Sequence, residues 1–324
     1  MMNEQTVVNA ARKMFGGRAG GRVRVGIGDD AAVVRIGRTD VVLTIDSVVE
    51  GVDFDFRYFT WTDVGFKAVS AAVSDLYACG ARPCAILVSV GLPAGTRASD
   101  TRALMSGLRD AARVYGAKIV GGDTSASPRL FVDVCAVGEI AGSFKSRSGA
   151  KLGDWIFLSG PVGASRAALG LFQKKLRVSP ALRGAHCRPI AAASDGIRLA
   201  REPRVTAMMD VSDGLLIDLA RMCAASRVSA GIFPSRVPVL QATRDAFRRL
   251  RRDPVQEAMV GGEDYVLLFC VRPPVPDGLA GRYSCIGQIL PRRRGVQTPL
   301  YNMERRSGIR HPAGIMVKGF LHRF

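Results

Sequence analysis

Histidine is nearly absent from this chain: His186, His311 and His322 are the only three among 324 residues. A histidine-centred triad or a histidine-ligated zinc hydrolase site is therefore hard to assemble. The seven cysteines, Cys79, Cys84, Cys135, Cys187, Cys223, Cys270 and Cys285, show no paired zinc-type spacing. Most lie inside apolar segments, and all read as reduced core residues. A Gly-x-x-x-x-Gly-Lys-Ser/Thr loop is missing, as is a Gly-x-Gly-x-x-Gly turn opening a helix after a strand, which disfavours an ordinary P-loop kinase or dinucleotide enzyme. The longest uncharged stretch, Pro83 to Thr96, is too short and too rich in glycine and proline to cross a membrane. The opening Met1-Met2-Asn3-Glu4-Gln5 is polar and acidic rather than basic then apolar, so a cytoplasmic location is expected.

Acidic residues are also few, 28 against 46 lysines and arginines, leaving a formal charge of +18. A strongly basic protein can bind nucleic acid through phosphates alone. Here the arginines gather at Arg244 to Arg252, Arg292 to Arg294 and Arg305-Arg306 with little aromatic interleaving, which reads as a solvated helix face and surface loops. A specific nucleic-acid partner is not expected.

Against that shortage of acids, five apolar runs each end in an aspartate: Val23 to Asp29-Asp30, Val41 to Asp46, Ala71 to Asp75, Ile119 to Asp123, and Met208 to Asp210 and Asp213. Most read as buried strands, so their carboxylates are expected to converge where the strands leave a sheet. Any one such aspartate is commonly a turn former or a helix cap. The set carries more weight, because glycines adjoin three of the carboxylates, in Gly28-Asp29, Gly122-Asp123 and Asp213-Gly214, where a bare backbone can approach an anion. Two ionised carboxylates about 4 Å apart repel by roughly 4 kcal/mol at an effective dielectric of 20, so such a cluster needs protons or cations between its members. Oxygen ligands without histidine or cysteine favour magnesium shared with a polyphosphate.

The length, with 48% hydrophobic residues and 36 glycines, suits two globular α/β domains. Strands are expected at Val41–Ile45, Ala85–Val90, Lys118–Val120 and Leu130–Val137. Phe66, Val69, Val73 and Leu76 recur at helical spacing, and a second helix spans Ser99–Tyr115 behind a Ser99-Asp100 cap. The polar, glycine-rich stretch from Ala141 to Asp154 reads as the crossing between domains, placed at 1–143 and 144–324. Beyond it, strands are expected at Trp155–Ser159, Tyr265–Val271 and Tyr283–Ile289, with helices at Ala164–Phe172 and Leu215–Ala225.

Eight blocks, in order, carry a resemblance over nearly the whole chain: GIGDDAAVV (26–34), TIDSVVEGVDF (44–54), FKAVSAAVSDLYACGARP (66–83), GGDT (121–124), SRSGAKLGDW (146–155), DVSDGLLIDL (210–219), GGEDYVLLF (261–269) and KGF (318–320). Together they resemble the thiamine-monophosphate kinases, of the superfamily that holds aminoimidazole ribonucleotide synthetase. The resemblance implies a two-domain α/β (α+β type) architecture, a homodimer built through the N-terminal domains, and ATP-dependent phosphorylation of thiamine monophosphate to thiamine diphosphate with several Mg2+ ions. It assigns Asp30, Asp46, Asp75, Asp123, Asp210 and Asp213 to metal, with Asp75 and Asp213 central to catalysis. Thr44, Gly122, Asp123, Arg147 and Ser212 go to nucleotide, and Asp53, Glu263 and Phe320 to the thiamine substrate.

The chain departs from the family pattern where Asp53 replaces a usual histidine, Ile45 a common threonine and Ala72 a frequent asparagine. A carboxylate at 53 is expected to repel a substrate phosphate, so another acceptor within the superfamily is the alternative. Selenophosphate synthetase is disfavoured because no cysteine precedes Cys79, and the hydrogenase-maturation relative because the chain ends in Arg323-Phe324. A non-catalytic nucleotide- or nucleic-acid-binding protein is the alternative from another class.

Overall fold

The computed structural model describes residues 4–16, 21–292 and 300–303. The chain runs α1 (Glu4–Phe15), β1 (Val23–Val25), β2 (Ala32–Ile36), β3 (Thr39–Val49), α2 (Trp61–Ala78), β4 (Ala81–Leu92), α3 (Ala98–Tyr115), β5 (Lys118–Ala126) and β6 (Phe131–Ile140). It continues through β7 (Trp155–Leu158), α4 (Ala164–Gln173), α5 (Pro180–Cys187), α6 (Ala193–Ala200), β8 (Val205–Asp210), α7 (Leu215–Ser226), β9 (Ser229–Ile232), α8 (Gln241–Arg249), α9 (Pro254–Val260), β10 (Leu267–Val271), α10 (Asp277–Ala280), β11 (Ser284–Leu290) and β12 (Leu300–Asn302).

Two six-stranded sheets result, ordered β1-β2-β3-β6-β4-β5 and β12-β9-β11-β7-β10-β8. Pairing is antiparallel except for β4 with β5 and β12 with β9. The α/β character expected from sequence is present, but the sheets are not the open parallel kind whose strand ends gather ligands. Asp46 sits within β3, opposite Val134, and Asp75 sits on α2. The long strands outrun their expected bounds, as at Thr39–Val49 and Ala81–Leu92, because polar residues on one face hid their continuation.

One helix organises the first half. In α2 all but Trp61, Thr62 and Asp75 are buried, a consequence of packing on the first sheet with one face and on α3 with another. Its start is fixed by a capping box, in which the Thr60 hydroxyl accepts from Asp63 N–H at 3.2 Å and the Asp63 carboxylate accepts from Thr60 N–H at 3.0 Å. Asp63 also accepts Arg183 Nη2 at 2.7 Å and Arg188 Nε, so the cap doubles as an anchor for α5. At α3 the expected Ser99 cap is displaced: Arg97 is the capping residue, and the Asp100 carboxylate accepts its N–H.

The core has three parts. Val69, Val73, Leu76, Val132 and Val134 pack between α2 and the first sheet, Leu171, Leu216, Met222 and Phe247 cover one face of the second, and Phe157, Phe269 and Tyr283 its other face. Of the seven cysteines, Cys84 departs from the core expectation and is exposed. Among the described residues no helix is long and apolar enough to cross a membrane.

The α2/α3 crossing depends on two glycines. A Cβ on Gly107 would lie 2.0 Å from Thr62 O, and one on Gly65 would lie 2.4 Å from Leu104 O. Both obstacles are backbone, so neither can rotate away. Gly107→Ala is expected to destabilise the protein by about 1–3 kcal/mol through forced separation of the helices, read as a lower midpoint in denaturant, while an exposed control such as Gly278→Ala stays near wild type.

Candidate functional site

A cleft of about 1430 Å³ opens between the two halves and is lined by Asp29, Asp30, Thr44, Asp46, Asp53, Asp75, Arg147, Asp210, Ser212, Asp213 and Glu263, among others. It exceeds the roughly 300–1,000 Å³ of a pocket for one small molecule and has room for two ligands. Most of the sequence-predicted residues therefore share one cavity.

Its floor is a carboxylate cluster. Ligand oxygens of Asp30, Asp75 and Asp210 all lie within 4.8 Å of one another. Three unrelated elements deliver them: the turn before β2, the last turns of α2, and the end of β8. Local bonds aim each one. Thr44 Oγ1 on β3 donates to Asp75 Oδ2 at 2.6 Å, and Ser74 Oγ donates to Asp210 Oδ2 at 2.5 Å, which joins α2 to the second sheet. Arg147 Nη2 donates to Asp30, and the Arg147 N–H donates to Asp29 Oδ1 at 3.1 Å. Asp30 Oδ2 is buried without any hydrogen-bond partner.

Burial dominates the electrostatics. Desolvation raises Asp30 to about 7, with Arg147 opposing it and Asp210 and Asp29 adding to it. Desolvation likewise lifts Asp46 and Asp210 to about 6, and pushes Asp75 well above the usual carboxylate range with help from Asp210, Asp46 and Asp30. Such a cluster binds protons or a hard cation, and an orphaned oxygen among desolvated carboxylates suits an ion such as Mg2+.

The loop 211–214 is shaped from below. Buried Asp218 accepts the N–H groups of Asp213 and Gly214 at 3.1 and 3.0 Å, and Gly214 takes a φ of 128° against the backbone of Val260 and Gly261. Arg221 Nη1 donates to both Asp213 and Asp218. Ser212 O accepts Glu263 N–H at 2.6 Å, which couples this loop to the 261–265 turn. Glu263 and Tyr265 in that turn hold φ values of 63° and 49°, rare for residues with side chains. Asp264 between them accepts the Gly163 and Ala164 N–H groups at 2.7 and 3.2 Å, at the start of α4. The strained pair is thus locked by a helix N-terminus.

The Asp53 carboxylate accepts Val49 N–H at 2.8 Å and so closes its own loop. That bond occupies part of the charge expected to repel a phosphate. Gly122 and Asp123 do not join the cluster within one protomer. Gly122 is level with Val88, Val134 and Asp46 across the sheet, three strand spacings or about 14 Å from Asp46. Asp123 belongs with Ser89, Asp133 and Ser47 to the face that α2 leaves uncovered. Phe320 lies outside the described residues.

Sequence reasoning passed over Lys67, Ser74, Asp218 and Arg221. A signal existed for Lys67, a lone cation on a helix otherwise apolar for several turns, and for Asp218 four residues after Gly214. Nothing local distinguished Arg221 from the many surface arginines.

Family comparison gives two matches. The AIR synthase related protein N-terminal domain matches residues 28–140, and the AIR synthase related protein C-terminal domain matches residues 151–285. The thiamine-monophosphate kinase of Mycobacterium tuberculosis is 36% identical over 284 residues, covering 86% of this chain and 83% of its own. That of Aquifex aeolicus is 36% identical over 247 residues, covering 75% and 79%. Among solved structures, AaThiL complexed with AMPPCP and TMP superposes with a TM-score of 0.86 at 29% identity, covering 99% of this chain and 97% of that one.

A pH dependence follows from the raised carboxylates. Between the ordinary carboxylate pKa and about 7, the native state holds more protons than the unfolded chain, so stability falls as pH rises through that window. In buffer free of divalent ions, the melting temperature is expected to decline from about pH 5 to about pH 8. A rising melting temperature across that interval would show that the carboxylates are solvated.

Proposed function

The chain belongs to the thiamine-monophosphate kinase family of AIR-synthase-related proteins, and from that premise we propose that its cleft brings ATP and thiamine monophosphate together over the Asp30, Asp75 and Asp210 cluster. The reaction is transfer of the γ-phosphoryl group of ATP to the phosphate of thiamine monophosphate, giving thiamine diphosphate and ADP. The observation that carries the site assignment is the unpartnered Asp30 oxygen inside three desolvated carboxylates, an arrangement with little use except to bind cations.

The acceptor oxygen belongs to a phosphate monoester whose second pKa is about 6, so it is largely ionised at neutral pH and needs no general base. The scarcity of histidine matches that chemistry. The remaining problem is two anions approaching in line, met by positioning and countercharge. Asp30, Asp46, Asp75, Asp210 and Asp213 would hold Mg2+ ions, which supply charge neutralisation on the phosphate oxygens. Arg147 contributes a fixed guanidinium at the same floor, Thr44 and Ser74 keep the carboxylates aimed, and Ser212 holds the backbone of Glu263 beside the substrate. Asp53 and Glu263 face the acceptor side.

A homodimer completes this reading. The uncovered face of the first sheet shows Ile45 at 68% and Leu87 at 44% exposure, and every residue of edge strand β5 is exposed. Apolar exposure on a free sheet edge favours pairing with a second copy. Such pairing brings Gly122 and Asp123 of one protomer toward the cleft of the other. The division at 143/144 falls in the gap between the two matched regions and separates the two sheets. A cytosolic setting is supported by seven unpaired cysteines.

Two outcomes test the proposal. Asp75→Asn is expected to lower turnover of ATP and thiamine monophosphate by more than about 100-fold, the scale of one lost charge-stabilising group. Its melting temperature should hold or rise, since a desolvated charge is removed while an acceptor for Thr44 remains. Chromatography of thiamine diphosphate and ADP reads the first, calorimetry the second, and near-normal turnover would sink the metal assignment. In the other, inactive Asp75→Asn and Asp123→Asn proteins are unfolded, mixed in equal amounts and refolded. If Asp123 acts across a two-fold interface, about a quarter of the sites are intact and activity returns to that level. No recovery from the mixture would place Asp123 outside the shared site.

A further inference from the structure

Lys67 is 1% exposed, yet it carries an ammonium into the wall of the cleft. Its Nζ lies 2.5 Å from Glu263 Oε1 and donates to Asp53 O at 2.6 Å, with the Phe59 ring 5.2 Å away as a further cation partner. Lys67 stands on α2, Asp53 in the loop after β3, and Glu263 in the strained turn of the second half. One buried cation therefore fixes both walls of the acceptor side against the central helix.

The other carboxylate oxygen is held too. Ser165 Oγ donates to Glu263 Oε2 at 3.2 Å, and His186 Nδ1 lies 3.4 Å from the same oxygen and 2.8 Å from Ser165 Oγ. Burial alone would raise the Glu263 carboxyl, but Lys67 and His186 outweigh it and hold the group at about 2. The remaining titratable neighbours are Asp264 and Tyr265 in the same turn, and Tyr58 and Cys187 nearby; all are raised mainly by burial. None of these supplies a second positive charge. Glu263 keeps 27% side-chain exposure toward the cleft, so lone pairs not used by Lys67 and Ser165 remain for a ligand.

We propose that Lys67 is a specificity-determining positioning residue: its ion pair fixes Glu263 as a hydrogen-bond acceptor beside the cleft, so the cleft takes a heteroaromatic ring bearing an exocyclic amino group and rejects the oxo counterpart. An ionised carboxylate accepts from an amino N–H and repels a ring oxygen at the same place. A protonated carboxyl can donate or accept, and distinguishes the two poorly. The inference rests on the kinase reading above, which sets Glu263 on the acceptor side; contact between its carboxylate and the amino group of the pyrimidine is part of the proposal.

The test compares kcat/KM for thiamine monophosphate and oxythiamine monophosphate, whose 4-amino group is replaced by oxygen. Wild type is expected to prefer the amino form by more than about 100-fold, as a site built around one hydrogen bond does. In Lys67→Met the ratio should fall below about tenfold, with KM for thiamine monophosphate raised and KM for ATP unchanged. Glu263→Gln, whose amide can both donate and accept, should narrow the ratio similarly, and the double variant should be no worse than either single one. A purely structural role for Lys67 would weaken both substrates together or leave the ratio intact, and either result overturns the proposal. If Lys67→Met fails to fold, Glu263→Gln decides, because it leaves Lys67 an acceptor; an unchanged ratio there overturns the proposal equally. Wild-type protein without turnover of thiamine monophosphate overturns the kinase reading and this inference with it, whereas turnover with an unaltered amino-to-oxo ratio in the variants removes the inference alone.

Discussion

Carboxylates from both halves of the chain meet where water is largely excluded, and the surrounding architecture is arranged to tolerate that. Asp30, Asp75 and Asp210 arrive on a turn, a helix and a strand, each aimed by a donor from elsewhere: Arg147, Thr44 and Ser74. A cluster of like charges in low dielectric is costly, so the fold must be held by contacts that do not pass through it. Those contacts are present. Arg183 and Arg188 clamp Asp63 at the start of α2, Lys145 Nζ donates to the Glu202 and Val205 carbonyls, and Tyr58 stacks on Phe172 at 4.5 Å.

The division of labour inside the cleft follows the same logic. The floor gathers desolvated carboxylates that are costly when ionised together. The wall uses the opposite device, a carboxylate already satisfied by a buried ammonium. Glu263 and the clustered aspartates are chemically similar groups, and their environments alone set them apart. Asp53, a departure from the usual family residue, is absorbed structurally, since its side chain and its carbonyl each bind a neighbour, Val49 N–H and Lys67 Nζ.

Much of this was legible beforehand, and for identifiable reasons. Short ordered blocks such as GGEDY and DVSDG survive because each fixes backbone shape and side-chain chemistry together, as at Glu263 and Gly214 with their positive φ. Helical spacing found α2 because nearly all of it is buried. The separation of Asp123 from the cluster was not legible, because strand order places β5 at the sheet edge and no local pattern encodes strand order. Nor was the role of Lys67 or Arg221, whose partners lie 196 residues away in one case and in a chain crowded with arginine in the other. The notion of aspartates at strand ends was wrong in mechanism for Asp46, which a strand presents midway, whereas Asp75 lies on the helix expected from the spacing of Phe66, Val69, Val73 and Leu76.

The helix α2 sets a length scale for the cleft. Lys67 and Ser74 are seven residues apart, two turns along the same side, which separates them by about 10.5 Å in a structure that does not stretch. At one end the helix grips Glu263, at the other Asp210. The spacing between the Glu263 and Asp210 anchors is thereby gauged by helical pitch rather than by a loop, so neither wall of the cleft shifts along the helix without the other.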